Sequence, residues 1–149
     1  MESFLPFNKA DVGDEEIAGV VDVLRSGWLT TGPKVKEFEQ EFAAMVGTQH
    51  AVAVNSCTAG LHLALEAAGL REGDEVLVPT MTFAATAEVV TYFKAKPILI
   101  DCEQDTLNLD TDRIEEAITD KTKAIIPAHF AGQPCDMDRI QSIARARGL

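Results

Sequence analysis

Basic charge is scarce in this 149-residue chain: 13 Lys and Arg stand against 24 Asp and Glu, a net charge of −11. Nucleic acids and anionic membrane surfaces both demand a basic footprint, so neither is expected as the main partner. Small anions escape that exclusion, because a local field can oppose the global charge. Cysteine is scarce too. Cys57, Cys102 and Cys135 are odd in number and widely spaced, which fits neither a disulfide framework nor a Cys-pair zinc site. Free thiols suit a reducing cytoplasm, and no metal site is expected. No apolar run approaches the roughly 20 residues that a membrane span needs. The opening MESFLPFNKADVGDEE has neither the basic start nor the apolar stretch of a signal peptide. A cytoplasmic protein is expected. What remains is ordinary globular composition, 46% apolar and 25% charged, enough to bury a core.

Residues 1–13 read as irregular, broken by Pro6 and Gly13. Asp14, Glu15 and Glu16 then open a helix, acids where the N-terminal dipole favours them. Ile17, Val20, Val21 and Leu24 make one apolar stripe, and Gly27 ends it. An uncharged GWLTTGP loop follows. Pro33 starts a second helix, with Val35, Phe38, Phe42 and Met45 expected inward. From residue 50 four short apolar runs, AVAV (51–54), EVLVP (75–79), PILI (97–100) and KAIIP (123–127), alternate with helical stretches at 61–69, 84–95, 110–118 and 136–148. That alternation predicts an α/β fold: a partial, mostly parallel sheet with helices on both faces, its strands apolar throughout because both faces are covered. The expected organisation is an N-terminal helical segment and loop over 1–49, then the first βα units of a sheet domain over 50–149. The last helix closes on Gly148 where another strand is due, so the chain reads as the N-terminal portion of a longer protein.

In open parallel sheets, ligands gather beyond the carboxyl ends of the strands. The NSCTAG loop holds Ser56, Cys57, Thr58 and Ala59 between a predicted strand and a helix start. Small side chains there let an anion approach free N–H groups, and two hydroxyls add donors. Plain helix capping by Ser and Thr explains the same residues equally well. The loop is neither GxGxxG nor GxxxxGK[ST], which excludes a dinucleotide fingerprint and a P-loop. Phe83, just past the second predicted strand, stacks on a flat ring or packs in the core. His129 follows the fourth strand and is a candidate site residue, although a hydrogen-bonded structural histidine is the commoner case. Asp101 ends a strand, where turn chemistry accounts for it. Trp28, Leu29, Thr30, Thr31 and Gly32 form a loop whose lack of charge points to a binding surface.

Taken together, RSGWLTTGPKVKEFEQEFA, HAVAVNSCTAGLHLAL, GDEVLVPTMTFAATAEVV and DTLNLDTDRIEEAITDKTKAIIPAHFAGQPCDMDRI resemble the sugar aminotransferases of the DegT/StrS type. The likeness runs in order along essentially the whole chain. FLPF, NSCTAG and PTMTF are most similar to the enzymes that make UDP-4-amino-4-deoxy-L-arabinose. The resemblance implies the large domain of the aspartate-aminotransferase fold, pyridoxal 5'-phosphate as cofactor, and a role in cell-envelope or polysaccharide biosynthesis. It implies that the loop of Ser56, Cys57, Thr58 and Ala59 holds the cofactor phosphate, and that Phe83 covers the pyridine ring where many relatives carry Trp. It places the loop from Trp28 to Gly32 at the substrate mouth, beside the second subunit of a homodimer. Cys57 departs from the Gly or Ala usual in the family. The implied reaction takes an amino group from an amino acid, commonly glutamate, to a keto-sugar nucleotide. The carboxylate that meets the ring nitrogen and the lysine that carries the cofactor are expected beyond Leu149. None of the seven lysines here follows a predicted strand, so no catalytic residue is expected in this chain and the chain alone is expected to be inactive. The alternatives are a sugar dehydratase of the same family, in which histidine replaces that lysine, and a non-catalytic phosphate-binding module.

Overall fold

The computed structural model describes Phe4, Pro6 and residues 9–149. The chain divides into two compact units, Met1–Ala53 and Val54–Leu149. In the first unit, α1 (Asp14–Ser26) begins at Gly13, whose N–H donates to Glu16 Oε2 at 2.7 Å. That bond closes one half of a capping box and holds the Glu16 carboxyl below its ordinary value. The helix ends at Gly27 with φ 75°, a left-handed cap that glycine adopts without steric cost. α2 (Pro33–Val46) carries Pro at its start, where a missing N–H costs nothing, and Gly47 at its end.

Both helices form as predicted, but their apolar stripes do not go inward. Ile17, Val20 and Leu24 are at least 54% exposed, and Phe38, Phe42 and Met45 at least 42%. Only Ala43 of α2 and no residue of α1 is buried. An apolar stripe reports the face that would suit a partner. It does not report that one is present. Phe38 and Phe42 meet each other instead, their ring centroids 5.8 Å apart.

The second unit is a three-stranded parallel sheet in the order β2-β1-β3, built from β1 (Glu75–Pro79), β2 (Lys96–Ile100) and β3 (Thr122–Ile125). The register aligns Val76, Leu77 and Val78 of the central strand with Pro97, Ile98 and Leu99. Alternation then sorts the core. Val76 and Val78 join Leu65 of α3 (Cys57–Ala67) with Val89 and Val90 of α4 (Ala85–Thr91) in one cluster. Leu77 joins Ile114 of α5 (Ile114–Ala117) with Ile140 and Ile143 of α6 (Met137–Arg147) in another. The sheet therefore carries helices on both faces, as the unbroken apolar runs predicted. Each fully buried Val or Leu contributes about 1.5–3 kcal/mol of burial. Burial falls off at the outer strands, where Leu99 is 61% exposed.

Two predictions need correction. The AVAV run at 51–54 is not a strand; it has no ladder partner, and Val52 is 78% exposed. β-branched residues favour extended backbone, but a strand exists only when a neighbour takes its hydrogen bonds. The predicted helix at 110–118 is a 3-10 turn (Thr111–Arg113) followed by the single turn of α5. No helix among the described residues is long and apolar enough to cross a membrane.

Candidate functional site

Because the strands are parallel, their carboxyl ends lie along one edge of the sheet, and the segments that leave them share that edge. The amide of Thr80 donates to the Ile100 carbonyl at 2.9 Å, extending the β1–β2 ladder past Pro79. Thr80 Oγ1 donates to Asp101 Oδ1 at 3.5 Å, and the same carboxylate oxygen accepts from the Cys102 amide at 2.9 Å. Asp101 thus serves the turn, as turn chemistry predicts. Residues 101–110 then fold back on themselves through Glu103 N to Asn108 O and Asp110 N to Asp101 O, both 2.9 Å. Phe83 is 79% exposed and belongs to neither core cluster. The core reading of this residue fails.

Residues 56–59 stand at the start of α3. Ser56 is its N-cap, and Ser56 Oγ accepts from the Ala59 amide at 3.1 Å. Its hydroxyl lies 3.4 Å from Asn55 Oδ1. The Ser56 carbonyl takes the Gly60 amide. The amides of Cys57 and Thr58 precede the first intrahelical bond, and neither has an acceptor among the described residues. Cys57 is exposed as a free thiol, as suits a small residue on an open loop. Ser56 therefore caps, while the first two amides and the Thr58 hydroxyl stay available to a ligand.

The segment after β3 is built differently. Asn108 is only 3% exposed, and its side chain makes three hydrogen bonds to a distant loop. Asn108 Nδ2 donates to the carbonyls of Gln133 (3.1 Å) and Pro134 (3.0 Å), and Oδ1 accepts from the Phe130 amide at 3.0 Å. The reversed amide would set an oxygen against two carbonyls, so the orientation is fixed by the partners. Within that loop the Cys135 amide donates to His129 Nδ1 at 3.1 Å, and Cys135 Sγ donates to the Ala128 carbonyl. Burial pushes the Cys135 thiol above its ordinary value and keeps it protonated. His129 itself is exposed. Sequence reading missed Asn108. Its one signal is an amide between Leu107 and Leu109, a polar residue where its neighbours are apolar.

Trp28, Leu29, Thr30, Thr31 and Gly32 belong to the first compact unit. Trp28, Leu29, Thr30 and Gly32 line a largely apolar hollow of about 330 Å³ together with Val23 and Pro33; Thr31 is exposed outside that lining. Gly32 packs closely on the indole: a Cβ there would lie 3.1 Å from Trp28 Cβ, a tight contact that a shift of a few tenths of an ångström would have to ease.

Residues 10–149 match the DegT/DnrJ/EryC1/StrS aminotransferase family, and the chain belongs to that family. It is 51% identical over 146 residues to the spore coat polysaccharide biosynthesis protein SpsC of Bacillus subtilis, covering 98% of this chain and 38% of SpsC. Spr1654 of Streptococcus pneumoniae, named as a sugar aminotransferase and solved with pyridoxal and pyridoxamine phosphate, superposes with a TM-score of 0.90 at 45% identity. That match covers 96% of this chain and 36% of Spr1654. The E. coli GDP-4-keto-6-deoxy-D-mannose-3-dehydratase, with bound hydrated pyridoxal phosphate, superposes with a TM-score of 0.88 at 31% identity, over 95% of this chain and 38% of that one. The chain thus spans well under half the length of the relatives it matches. Pyridoxal phosphate is the cofactor of this fold and family. The donors at the start of α3 suit its phosphate chemically: two unpaired amides, one free hydroxyl, and no carboxylate from Ser56 to Gly60.

Proposed function

We propose that this chain supplies the phosphate cradle and the ring-stacking face of a pyridoxal-phosphate-dependent aminotransferase, which moves an amino group from an amino acid, glutamate by preference, to a keto-sugar nucleotide. The observation that carries this reading is the start of α3, where the Cys57 and Thr58 amides are unpaired beside the Thr58 hydroxyl. The dipole of an 11-residue helix favours an anion there, against the net charge of −11. Phe83, exposed beyond the central strand, offers its face to the pyridine ring. When bound, the cofactor supplies the electron sink for the transfer. The chain's own residues bind its phosphate, orient its ring and shape the substrate mouth at Trp28 and Leu29.

Transfer is preferred to dehydration because the identity to Spr1654, 45%, exceeds the 31% to the dehydratase. A polysaccharide-building role rests on the likeness to SpsC. The full-length enzyme is a cytoplasmic homodimer in this reading, with Trp28 and Leu29, both more than half exposed, beside the second subunit. Sedimentation of the full-length enzyme as a monomer would contradict that assembly. No lysine of the sheet unit stands at a carboxyl strand end: Lys96 opens β2, and Lys123 lies in the first half of β3. The 149-residue chain is therefore inactive in transfer by itself.

The test is a titration of the ¹⁵N-labelled chain with pyridoxamine 5'-phosphate, which has no aldehyde to label lysines. Amide shifts at residues 57 and 58 that saturate are expected. Saturable shifts elsewhere with none at 57 and 58 would refute the cradle.

A further inference from the structure

The cradle and the stacking face stand on two neighbouring helices. The Cys57 and Thr58 amides belong to the first turn of α3. Phe83 is tied to α4: its carbonyl accepts the Thr86 amide at 3.0 Å, and the hydroxyls of Thr82 and Thr86 meet at 2.8 Å. No hydrogen bond among the described residues joins residues 56–60 to residues 80–84. How α3 packs on α4 therefore sets one half of the site against the other. Leu65 of α3 shares a buried cluster with Val89 and Val90 of α4. The turns that follow the two helices are joined as well, since the Gly73 amide donates to the Lys94 carbonyl at 3.3 Å. Lys94 holds φ 55° there, a left-handed value that persists where the surroundings over-determine it. His62 adds a contact outside the core. It is exposed, and its imidazole makes no hydrogen bond among the described residues. Its ring centroid stands 5.3 Å from that of Tyr92 and 5.2 Å from that of Phe93, at interplanar angles of 70° and 77°. In this T-shaped geometry aromatic pairs attract beyond their buried area. Tyr92 is the C-cap of α4, and Phe93 packs against the buried valines.

We propose that His62 is a positioning residue: its paired ring contacts with Tyr92 and Phe93 pin α3 to the end of α4, and so hold the phosphate cradle in register with the segment that carries Phe83. The inference rests on the reading of residues 57 and 58 as the cradle and of Phe83 as the ring face. His62 touches no ligand in this account. Its effect is confined to ligands that engage both halves at once, because only they depend on the relation between the helices. A phosphate alone needs the start of α3 and nothing of α4. A ligand that links a phosphate to a flat ring gains from its second contact only when the two halves are already aligned.

The test compares two probes on the ¹⁵N-labelled 149-residue chain, inorganic phosphate for the cradle alone and pyridoxamine 5'-phosphate for both halves, each read at the amides of residues 57 and 58. His62→Ala removes the ring and keeps a strong helix former; His62→Gln does the same with a polar side chain and serves if the alanine variant does not fold. Either is expected to weaken pyridoxamine phosphate binding by about two- to tenfold, the worth of an aromatic pair, with phosphate binding unchanged. His62→Phe keeps a ring against Tyr92 and Phe93 and is expected to restore the wild-type affinity. Equal losses for the two probes would overturn the proposal, since His62 would then support α3 alone. Unchanged affinity for both probes would overturn it too, as would a folded His62→Phe chain that binds no better than the alanine variant. In each of those cases the cradle still stands, because the wild-type chain responds at residues 57 and 58. A wild-type chain that responds to neither probe refutes the cradle and the positioning role together.

Discussion

Thr80 and Ile100 form the last rung between the central strand and its neighbour, with the Thr80 amide 2.9 Å from the Ile100 carbonyl. Beyond that rung the chain leaves the sheet, and Phe83 emerges 79% exposed at an end where ligands of parallel sheets collect. Removing its ring should therefore cost little stability and much more binding. Phe83→Ala is expected to change unfolding free energy by no more than about 0.5 kcal/mol. It should weaken pyridoxamine phosphate binding several-fold, as loss of about 0.5–1.5 kcal/mol of stacking implies. Chemical denaturation and calorimetric titration of the same variant separate the two. A large loss of stability with unchanged affinity would return Phe83 to a structural role.

Ser56 and Thr58 divide capping from binding. Ser56 Oγ already accepts from the Ala59 amide, so Ser56→Ala should destabilise the chain by about 1 kcal/mol, the usual worth of an N-cap. Thr58 has no such bond. Thr58→Val should leave stability nearly unchanged and weaken phosphate-ligand binding by about tenfold, the loss of one charge-assisted hydrogen bond. If Thr58→Val lowers the denaturation midpoint and not the affinity, the hydroxyl is structural.

Much of this division was legible in the sequence, and the illegible part has a physical cause. Val76, Leu77 and Val78 sit in two opposite cores because a strand covered on both faces must be apolar at every position. The pattern therefore names the sheet directly. Gly27, Pro33 and Gly148 marked helix ends because their backbone constraints are local. The run at 51–54 and the stripes of α1 and α2 misled, because whether an apolar surface is covered depends on residues far away. Ser56 was ambiguous for a related reason: a hydroxyl that caps and one that binds anions are the same residue at the same place. Asn108 was invisible. Its function lies in bonds to the loop at residues 130–134, and no local period records a contact of that separation.

Cys135 gives a pH dependence of known sign. Burial raises its thiol above the ordinary value of 9.0, so the folded chain holds that proton more tightly than the unfolded chain does. Its contribution is fully present below pH 9.0 and is lost as the pH rises from there through the folded value. Stability measured against pH should fall over that alkaline window in the wild type, and fall less steeply in Cys135→Ala. Parallel curves for the two chains would remove Cys135 as the cause. Alkylation offers a companion reading: exposed Cys57 should react well before buried Cys135 at pH 8.

The most direct test of the whole account is a spectral titration of the 149-residue chain with pyridoxal phosphate, followed by borohydride reduction and mass mapping of its seven lysines. A chain that cradles the phosphate and faces the ring but has no lysine at a carboxyl strand end should show weak binding, because few contacts must offset the association cost. Reduction should leave scattered, substoichiometric labels on exposed lysines, with no transaminase activity. A stoichiometric adduct on one lysine of this chain would contradict the account, since it would show that the covalent anchor is already present within these residues.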